Sequence, residues 1–478
     1  MTQRRRGWAA RATPGIAGHP ASNGSNGAGR EHAETRRFGR SAGMLAGGIG
    51  LAGVLTYGYF ALASHQLDAQ SYGEIVVLWS ATFVAISTLY RPVEQLLSRT
   101  IAEREACGAP TAATLRIAAL IQGAIALLCV IAALALRGPL EDELLSGNGT
   151  LYWILVASLG AYAGNFFARG FLAGRHRFGL LARLLLFEAG ARFGLALVVA
   201  IGITNGQTVI ALGVAAGPLA SLLVVPFALR RSRRPVRTAT ARDGEGAMTL
   251  GRGSDFALAV FLIMLGEQIL LNAGPLLVQI SAGAVAAGFI FNVLMVARAP
   301  LLLFQGVAMS LLPHLTRLRS NAGERSDDFS HSIRATLTVI AAFTGLAVLV
   351  ILVAGPPLME IAFGGEYEYD RVGLLLVGLS IGPYLTATTL NQAALARGQV
   401  RRAAVCWVAA AVVFVGWNLS GALDEFRRVE VGFLVCASAL ALMLYALYRS
   451  SHVRAEDIVL PDSPAEVEAR LAAAEEAA

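Results

Sequence analysis

The stretch ALRRSRRPVR, Ala228–Arg237, ends one long apolar run and precedes another. Five of its ten residues are arginine: Arg230, Arg231, Arg233, Arg234 and Arg237. A basic block next to an apolar segment marks the cytosolic side of a membrane. Working outward from this block, segments of about 20 mostly apolar residues are each long enough to span a bilayer. Before it they fall at roughly 42–64, 72–90, 113–136, 151–173, 181–203 and 207–229. After it they fall at roughly 254–274, 283–308, 334–356, 371–395, 402–420 and 431–449. The block therefore divides twelve predicted spans into two sets of six.

Composition agrees. Of 478 residues, 55% are apolar and 15% charged, with a mean hydropathy of +0.60. A soluble domain carries about 25% charged residues. A chain this apolar is neither an ordinary soluble enzyme nor disordered. The net charge of +7 comes from arginine alone, since the sequence contains no lysine. With the N-terminus placed inside, about 33 of the 39 basic residues fall in the tails and inner connections. The outer connections hold only Arg137, Arg371, Arg427 and Arg428. They carry acids instead: Glu141, Asp142, Glu143, Glu366, Glu368, Asp370, Asp424 and Glu425. One span more or fewer would scramble this alternation, so both termini are expected in the cytoplasm. The basic charge reports topology, and no nucleic-acid partner is expected.

The expected organisation is a disordered basic cytoplasmic tail at 1–40, a six-helix lobe at 41–230 and a basic linker at 231–253. A second six-helix lobe follows at 254–450, then a cytoplasmic tail at 451–478. In that tail Ser463-Pro464-Ala465-Glu466 has the capping-box pattern and predicts a short acidic helix. Arg36-Arg37-Phe38 before the first span loosely matches a twin-arginine signal, but the many later spans argue against cleavage. Cys107, Cys129, Cys406 and Cys436 are too scattered for a metal site or a disulfide framework. There is no HExxH spacing and no P-loop, so no enzyme activity and no cofactor is expected.

The halves are weakly similar to each other. A shift of 215 residues brings Leu96-Leu97-Ser98-Arg99 onto Leu311-Leu312-Pro313-His314. Leu172-Ala173 and Leu395-Ala396 each precede a basic turn. A duplicated six-span unit has parallel halves, which rock about a central cavity in transporters of this kind.

Three stretches resemble a known family. They are LDAQSYGEIVVLWSATFVAISTLYRPVEQLLSRTIAERE (Leu67–Glu105), ARGFLAGRHRFG (Ala168–Gly179) and AAGFIFNVLMVARAPLLLFQGVAMSLLPHLTRLRS (Ala286–Ser320). They look like Wzx-type polysaccharide flippases of the multidrug/oligosaccharidyl-lipid/polysaccharide (MOP) exporter superfamily. The resemblance spans about residues 42–450. It implies a V-shaped, all-α membrane transporter in a bacterial cytoplasmic membrane. It also implies an undecaprenyl-diphosphate-linked oligosaccharide moved from the inner to the outer leaflet for envelope polysaccharide synthesis. Membrane lipids and polysaccharide-assembly proteins are the implied partners, and the chain is expected to be monomeric. Lipid II flippases of this superfamily add two further spans, which this sequence lacks.

Ionisable groups inside spans are costly and mark function. Arg298 lies roughly 14 residues from the outer end of its span, about 21 Å deep at 1.5 Å per residue. A guanidinium there can grip a diphosphate through two parallel hydrogen bonds; the bland alternative is a snorkelling side chain. Arg192 is the second diphosphate candidate. It sits four residues after Glu188, the favourable order for an ion pair, and the pair equally well neutralises itself between helices. Glu188 and Glu267 are candidates for coupling to a proton or Na+. Glu267 stands near Gln268, Asn272 and the Gly274-Pro275 pair. Arg91 and Glu94 flank Pro92 and read as an interfacial pair, with Arg91 also a cavity-lining candidate. Asn165, Arg169, Asn391 and Gln392 are further cavity candidates, although polar helix contacts explain them as well. Gly217-Pro218, Gly274-Pro275 and Gly382-Pro383 are hinge candidates.

Three functions compete. A lipid-linked oligosaccharide flippase leads. A multidrug-type (MATE-like) drug/cation antiporter is second, disfavoured because Arg192 and Arg298 repel a cation. A membrane glycosyltransferase or polysaccharide polymerase is remote, because the outer connections are short.

Overall fold

The computed structural model describes residues 24–229, 250–321, 326–365 and 369–450. Most of the basic linker and the predicted C-terminal acidic helix lie outside the described residues. Within them the secondary structure is helical, with no strand. The N-terminal half comprises α1 (Gly24–Gln66), α2 (Ala69–Leu89), α3 (Arg91–Ala106), α4 (Ala112–Ala135), α5 (Gly149–Gly174), α6 (Phe178–Ala200), α7 (Gln207–Ser221) and the short α8 (Val225–Leu229). The C-terminal half comprises α9 (Leu250–Asn321), α10 (Ser326–Phe363), α11 (Arg371–Ala396), α12 (Val400–Leu419) and α13 (Glu425–Ser450). Ten helical stretches are long and apolar enough to cross a membrane.

Three features differ from the sequence expectation. First, α1 begins at Gly24, inside the tail expected to be disordered. Extending an existing helix costs no new nucleus, and Ala, Arg and Glu are good helix formers. Second, α6 is not among the ten apolar stretches, although it matches the expected span at 181–203. Arg183, Glu188 and Arg192 lower its apolar content. Third, α9 merges two expected spans into one element. Gly283 breaks it with φ +83° and ψ −179°, a conformation that favours glycine. A Cβ at Gly274 would touch Leu294, and Arg298 bonds to Leu271 and Asn272. These contacts pair residues symmetrically about Gly283, so α9 is a helical hairpin with arms at 250–282 and 284–321.

Helix ends show what the loop charges do locally. Asp68 caps α2 by accepting from Ser71 N at 3.0 Å, and Asn148 caps α5 through Leu151 N at 3.2 Å. Asp370 caps α11 through Val372 N at 3.2 Å, and Asp424 accepts from Arg427 N at 3.0 Å. Each satisfies an N–H that the helix leaves open. At the opposite ends of α5 and α11 stand Arg175 and Arg397, where the helix dipole favours a cation. Polar and acidic loop residues thus cap the helix starts, and arginines stand at the far ends of α5 and α11.

Packing is mostly within each half: α1 on α6, α6 on α7, α5 on α3, α4 and α7, and α11 on α10 and α13. The halves meet chiefly where α2 lies against α9. Gly73 packs onto the Ala284 backbone, and a Cβ at Gly288 would stand 3.2 Å from Tyr72 Cδ1. Phe60 and Phe291 have ring centroids 4.6 Å apart. Tyr72 donates to Asn292, and Tyr57 donates to the Met295 carbonyl. All of these lie toward the Gly283 end, where the two halves are in contact. In contrast, α4 and α10 leave large apolar side chains exposed, including Leu120, Leu128, Leu349 and Val353. Such continuous apolar surface suits contact with lipid.

Candidate functional site

Two charged centres lie inside the helical bundle. The first is buried in the N-terminal half. Glu188 receives Arg169 Nη2 at 2.5 Å and Arg192 Nη2 at 2.9 Å, the latter being the i,i+4 pair expected from sequence. Asn165 donates to Glu188 at 3.0 Å and to Ser221 Oγ at 2.7 Å. The Tyr162 hydroxyl donates to Glu188 at 3.2 Å and accepts from Arg192 at 3.0 Å. The Arg192 guanidinium also lies 4.3 Å from the Trp79 ring centroid, a cation–π contact. Arg192 is only 2% exposed. In this conformation it is committed to Glu188 and Tyr162 and closed to a large anion. Asn165 is likewise buried inside this network and lines no open cavity.

The Gly217-Pro218 pair serves this centre. A Cβ at Gly217 would stand 2.9 Å from the Glu188 carbonyl oxygen, and one at Gly213 would stand 3.1 Å from Arg192 Cγ. These glycines let α7 approach α6 closely. The helix tightens to a 3-10 turn at Leu222–Val224 just after Pro218.

The second centre lies between the halves. Arg298 Nη2 donates to the Leu271 carbonyl and to Asn272 Oδ1, the latter at 3.1 Å. Leu271 is four residues before Pro275, which has no N–H to give that carbonyl. The Gly274-Pro275 pair thus creates an orphan acceptor, and Arg298 fills it. No kink is recorded at Pro275. Asn272 in turn donates to Gln268 at 2.8 Å. Arg298 has no acidic partner among the described residues. Glu267 is half-buried, 3.5 Å from the Tyr384 hydroxyl and 4.0 Å from Arg91 Nη1. Arg91 was expected to pair with Glu94, yet its recorded ion pair is with Glu267 across the halves. Tyr90 keeps helical φ/ψ between α2 and α3, so Arg91 continues the same helical stretch and reaches Glu267 on α9.

Glu94 borders the first centre: its backbone packs against Gly170, the residue after Arg169. Three ion pairs link the charged groups: Arg192 and Arg169 to Glu188, and Arg91 to Glu267. Arg298 is in none of them.

Other candidates fall elsewhere. Asn391 accepts from Trp407 Nε1 at 3.1 Å and is buried, whereas Gln392 is exposed. A Cβ at Gly382 would stand 3.0 Å from Thr344, so the Gly382-Pro383 pair packs α11 against α10. Sequence reasoning missed Tyr162 and Tyr384. Both α5 and α11 are 26 residues long. Aligning their caps, Asn148 with Asp370, places Tyr162 on Tyr384, Arg169 on Asn391 and Arg175 on Arg397. That register was a readable signal. Outside the spans, backbone and side-chain hydrogen bonds from Ser71 lower the Asp68 pKa. Burial, then the charge of Glu430, raises that of Tyr369. Among the described residues no cluster of His, Cys, Asp and Glu could hold a metal ion.

Comparison with known proteins places the fold. The chain is similar to the inward-facing structure of a multidrug resistance MATE family transporter of the MOP superfamily. That match has a TM-score of 0.67 at 12% identity and covers 86% of this chain and 96% of that one. It is similar to an outward-facing structure under the same description with a TM-score of 0.59 at 14% identity, covering 87% and 96%. The eukaryotic MATE transporter AtDTX14 matches with a TM-score of 0.57 at 14% identity, covering 86% and 95%. No family model matches, and no curated protein does. The fold is thus similar to that of the MATE transporters of the MOP superfamily.

Proposed function

We propose that this chain is a twelve-span, alternating-access flippase for a polyprenyl-diphosphate-linked oligosaccharide. Counting the α9 hairpin as two spans and adding the charged α6 to the ten apolar stretches supports the twelve-span reading. The arginine distribution supports both termini in the cytoplasm, and the resemblance to Wzx-type flippases supports a bacterial inner membrane. Gly283 then lies outside.

The observation that carries the reading is Arg298. It has no acidic partner among the described residues, so it adds an uncompensated positive group between the lobes. Its Nη2 holds helix carbonyl and amide oxygens, while Nε and Nη1 make no hydrogen bond among the described residues. Those donors suit a diphosphate. Arg192 is a second anion ligand only if rocking opens the N-terminal centre. Glu267, at the lobe interface, is the coupling site for a proton or Na+. Glu188 is not favoured for that role, because two guanidiniums already hold it.

The alternative is a MATE-like drug/cation antiporter, supported by the fold neighbours. Arg298 argues against it, since a positive cavity repels an organic cation. The test is purified protein in vesicles, offered in turn a fluorescent polyprenyl-diphosphate sugar and an organic cation dye. Transfer of the lipid between leaflets without dye uptake supports the flippase. Dye uptake without lipid transfer overturns it.

A further inference from the structure

A cleft of about 560 Å³ lies at the Gly283 end of the C-terminal half. Its walls are the start of the second arm of α9 and the residues that open α11 and α13. Each wall contributes an aromatic ring. Phe289 and Phe426 have centroids 6.3 Å apart, and Tyr369 meets Phe426 edge-on at 6.0 Å. The polar wall is fixed from behind. Arg427 donates to Glu430 Oε2 at 2.7 Å and to Asp370 Oδ2 at 2.5 Å, and Tyr369 donates to Glu430 Oε1. A Cβ at Gly373 would overlap both the Glu430 carboxylate and the Tyr369 ring, so the missing side chain makes room for this arrangement. Asp370 and Asp424 each cap a helix with one oxygen. Their other oxygens, Asp370 Oδ1 and Asp424 Oδ2, have no hydrogen bond among the described residues.

These features define a ligand. Small-molecule sites run from roughly 300 to 1,000 Å³, with aromatic walls and a few fixed polar groups. Three carboxylates against one guanidinium repel an anion, so a diphosphate belongs elsewhere. Each carboxylate already has a guanidinium or a helix N-terminus beside it, so a bare cation gains little. An ionised carboxylate only accepts hydrogen bonds. The complementary group donates several, is uncharged and presents C–H faces to the rings. We propose that the cleft binds a saccharide, with hydroxyls on Asp370 and Asp424 and a sugar face on Phe289 or Phe426. The cleft faces outward under the topology proposed above, and naming the exported glycan as its source rests on the flippase reading. On the same arm of α9, Ala284, Gly288 and Phe291 face the other half. Phe289 lies on a different side of that arm, at 3.6 residues per turn. A glycan seated there after delivery is held clear of the seam between the halves.

The experiment places the full chain in lipid nanodiscs, because sugar-headed detergents would compete. Labelled nanodiscs are offered an array of bacterial envelope oligosaccharides that carry neither lipid nor phosphate, and separately an organic cation dye. The best-bound oligosaccharide is then titrated against wild type and variants. Asp424→Asn keeps a capping oxygen and replaces the free acceptor with an amide donor. It should weaken binding about tenfold, the scale of one hydrogen bond to a charged group. Phe426→Ala should weaken binding as well, and melting temperatures confirm that each variant is folded. Arg298→Ala should bind the soluble oligosaccharide like wild type, since Arg298 lies about two and a half turns from Phe289 on the opposite side of the arm. No binding across the array, or a folded Asp424→Asn or Phe426→Ala that binds like wild type, overturns the saccharide site. Dye binding that Asp424→Asn abolishes, with no saccharide bound, overturns it in favour of a cation. Loss of saccharide binding in a folded Arg298→Ala overturns its placement in this cleft. Failure of the saccharide site leaves the diphosphate role of Arg298 standing, because that role is read from lipid transfer.

Discussion

Tyr162 in α5 and Tyr384 in α11 occupy the same position in helices of equal length, and each hydrogen-bonds a glutamate. The glutamates differ in what else surrounds them. Glu188 is sealed, with two arginines, an asparagine and the tyrosine holding its carboxylate. Glu267 is half-open and has one distant arginine from the opposite half. The same scaffold position therefore supports a fixed strut on one side and an exchangeable contact on the other. A buried charge that has all its partners resists change, because removing any partner strands another. A charge shared loosely across a moving interface can respond to a ligand.

The largest expected effect breaks the strut. Glu188→Ala leaves Arg169 and Arg192 buried together and should cost about 3–5 kcal/mol, read as a lowered melting temperature or lost expression. Glu267→Ala should cost far less in the same assay; equal losses would erase the contrast. Next, Gly217→Ala pushes a methyl group at the Glu188 carbonyl and should cost about 1–3 kcal/mol. Pro275→Ala restores an N–H to Leu271 and removes the orphan acceptor that seats Arg298. It should change stability by about 1 kcal/mol or less while altering anion affinity, separating the two roles of that arginine. The smallest effect lies at a cap distant from both glutamates. Asp68→Ala should cost about 1 kcal/mol by thermal melting. Hydrogen bonds hold the Asp68 pKa below its usual value. Its contribution is therefore present above the unfolded pKa and lost as pH falls through the lower, folded one. Asp68→Asn should cap with no such acid dependence.

Much of the fold was legible because span length, hydropathy and arginine placement are local properties. The ends of α5, α11 and α12 lie close to their expected limits. The hairpin at Gly283 was read as two spans without its one-residue turn, since a glycine in an apolar run carries little signal alone. The Glu188–Arg192 pair was legible from i,i+4 spacing on one helix. The Arg91–Glu267 contact was not, because it joins positions far apart in sequence and on different halves. Arg298 stood out as a lone charge in a span, but its seat did not. That seat needs Pro275 to free a carbonyl and the hairpin to bring Arg298 beside it. Pairing across helices is set by packing, which one sequence does not display.

The central claim is that Arg298 supplies the excess positive charge that selects a diphosphate-bearing lipid. Leaflet-to-leaflet transfer of a fluorescent polyprenyl-diphosphate sugar, measured in vesicles with wild type and Arg298→Ala at matched folded protein, tests it most directly. The account predicts transfer by wild type and its loss in the variant, with melting temperature nearly unchanged. Undiminished transfer by a folded Arg298→Ala protein would contradict it.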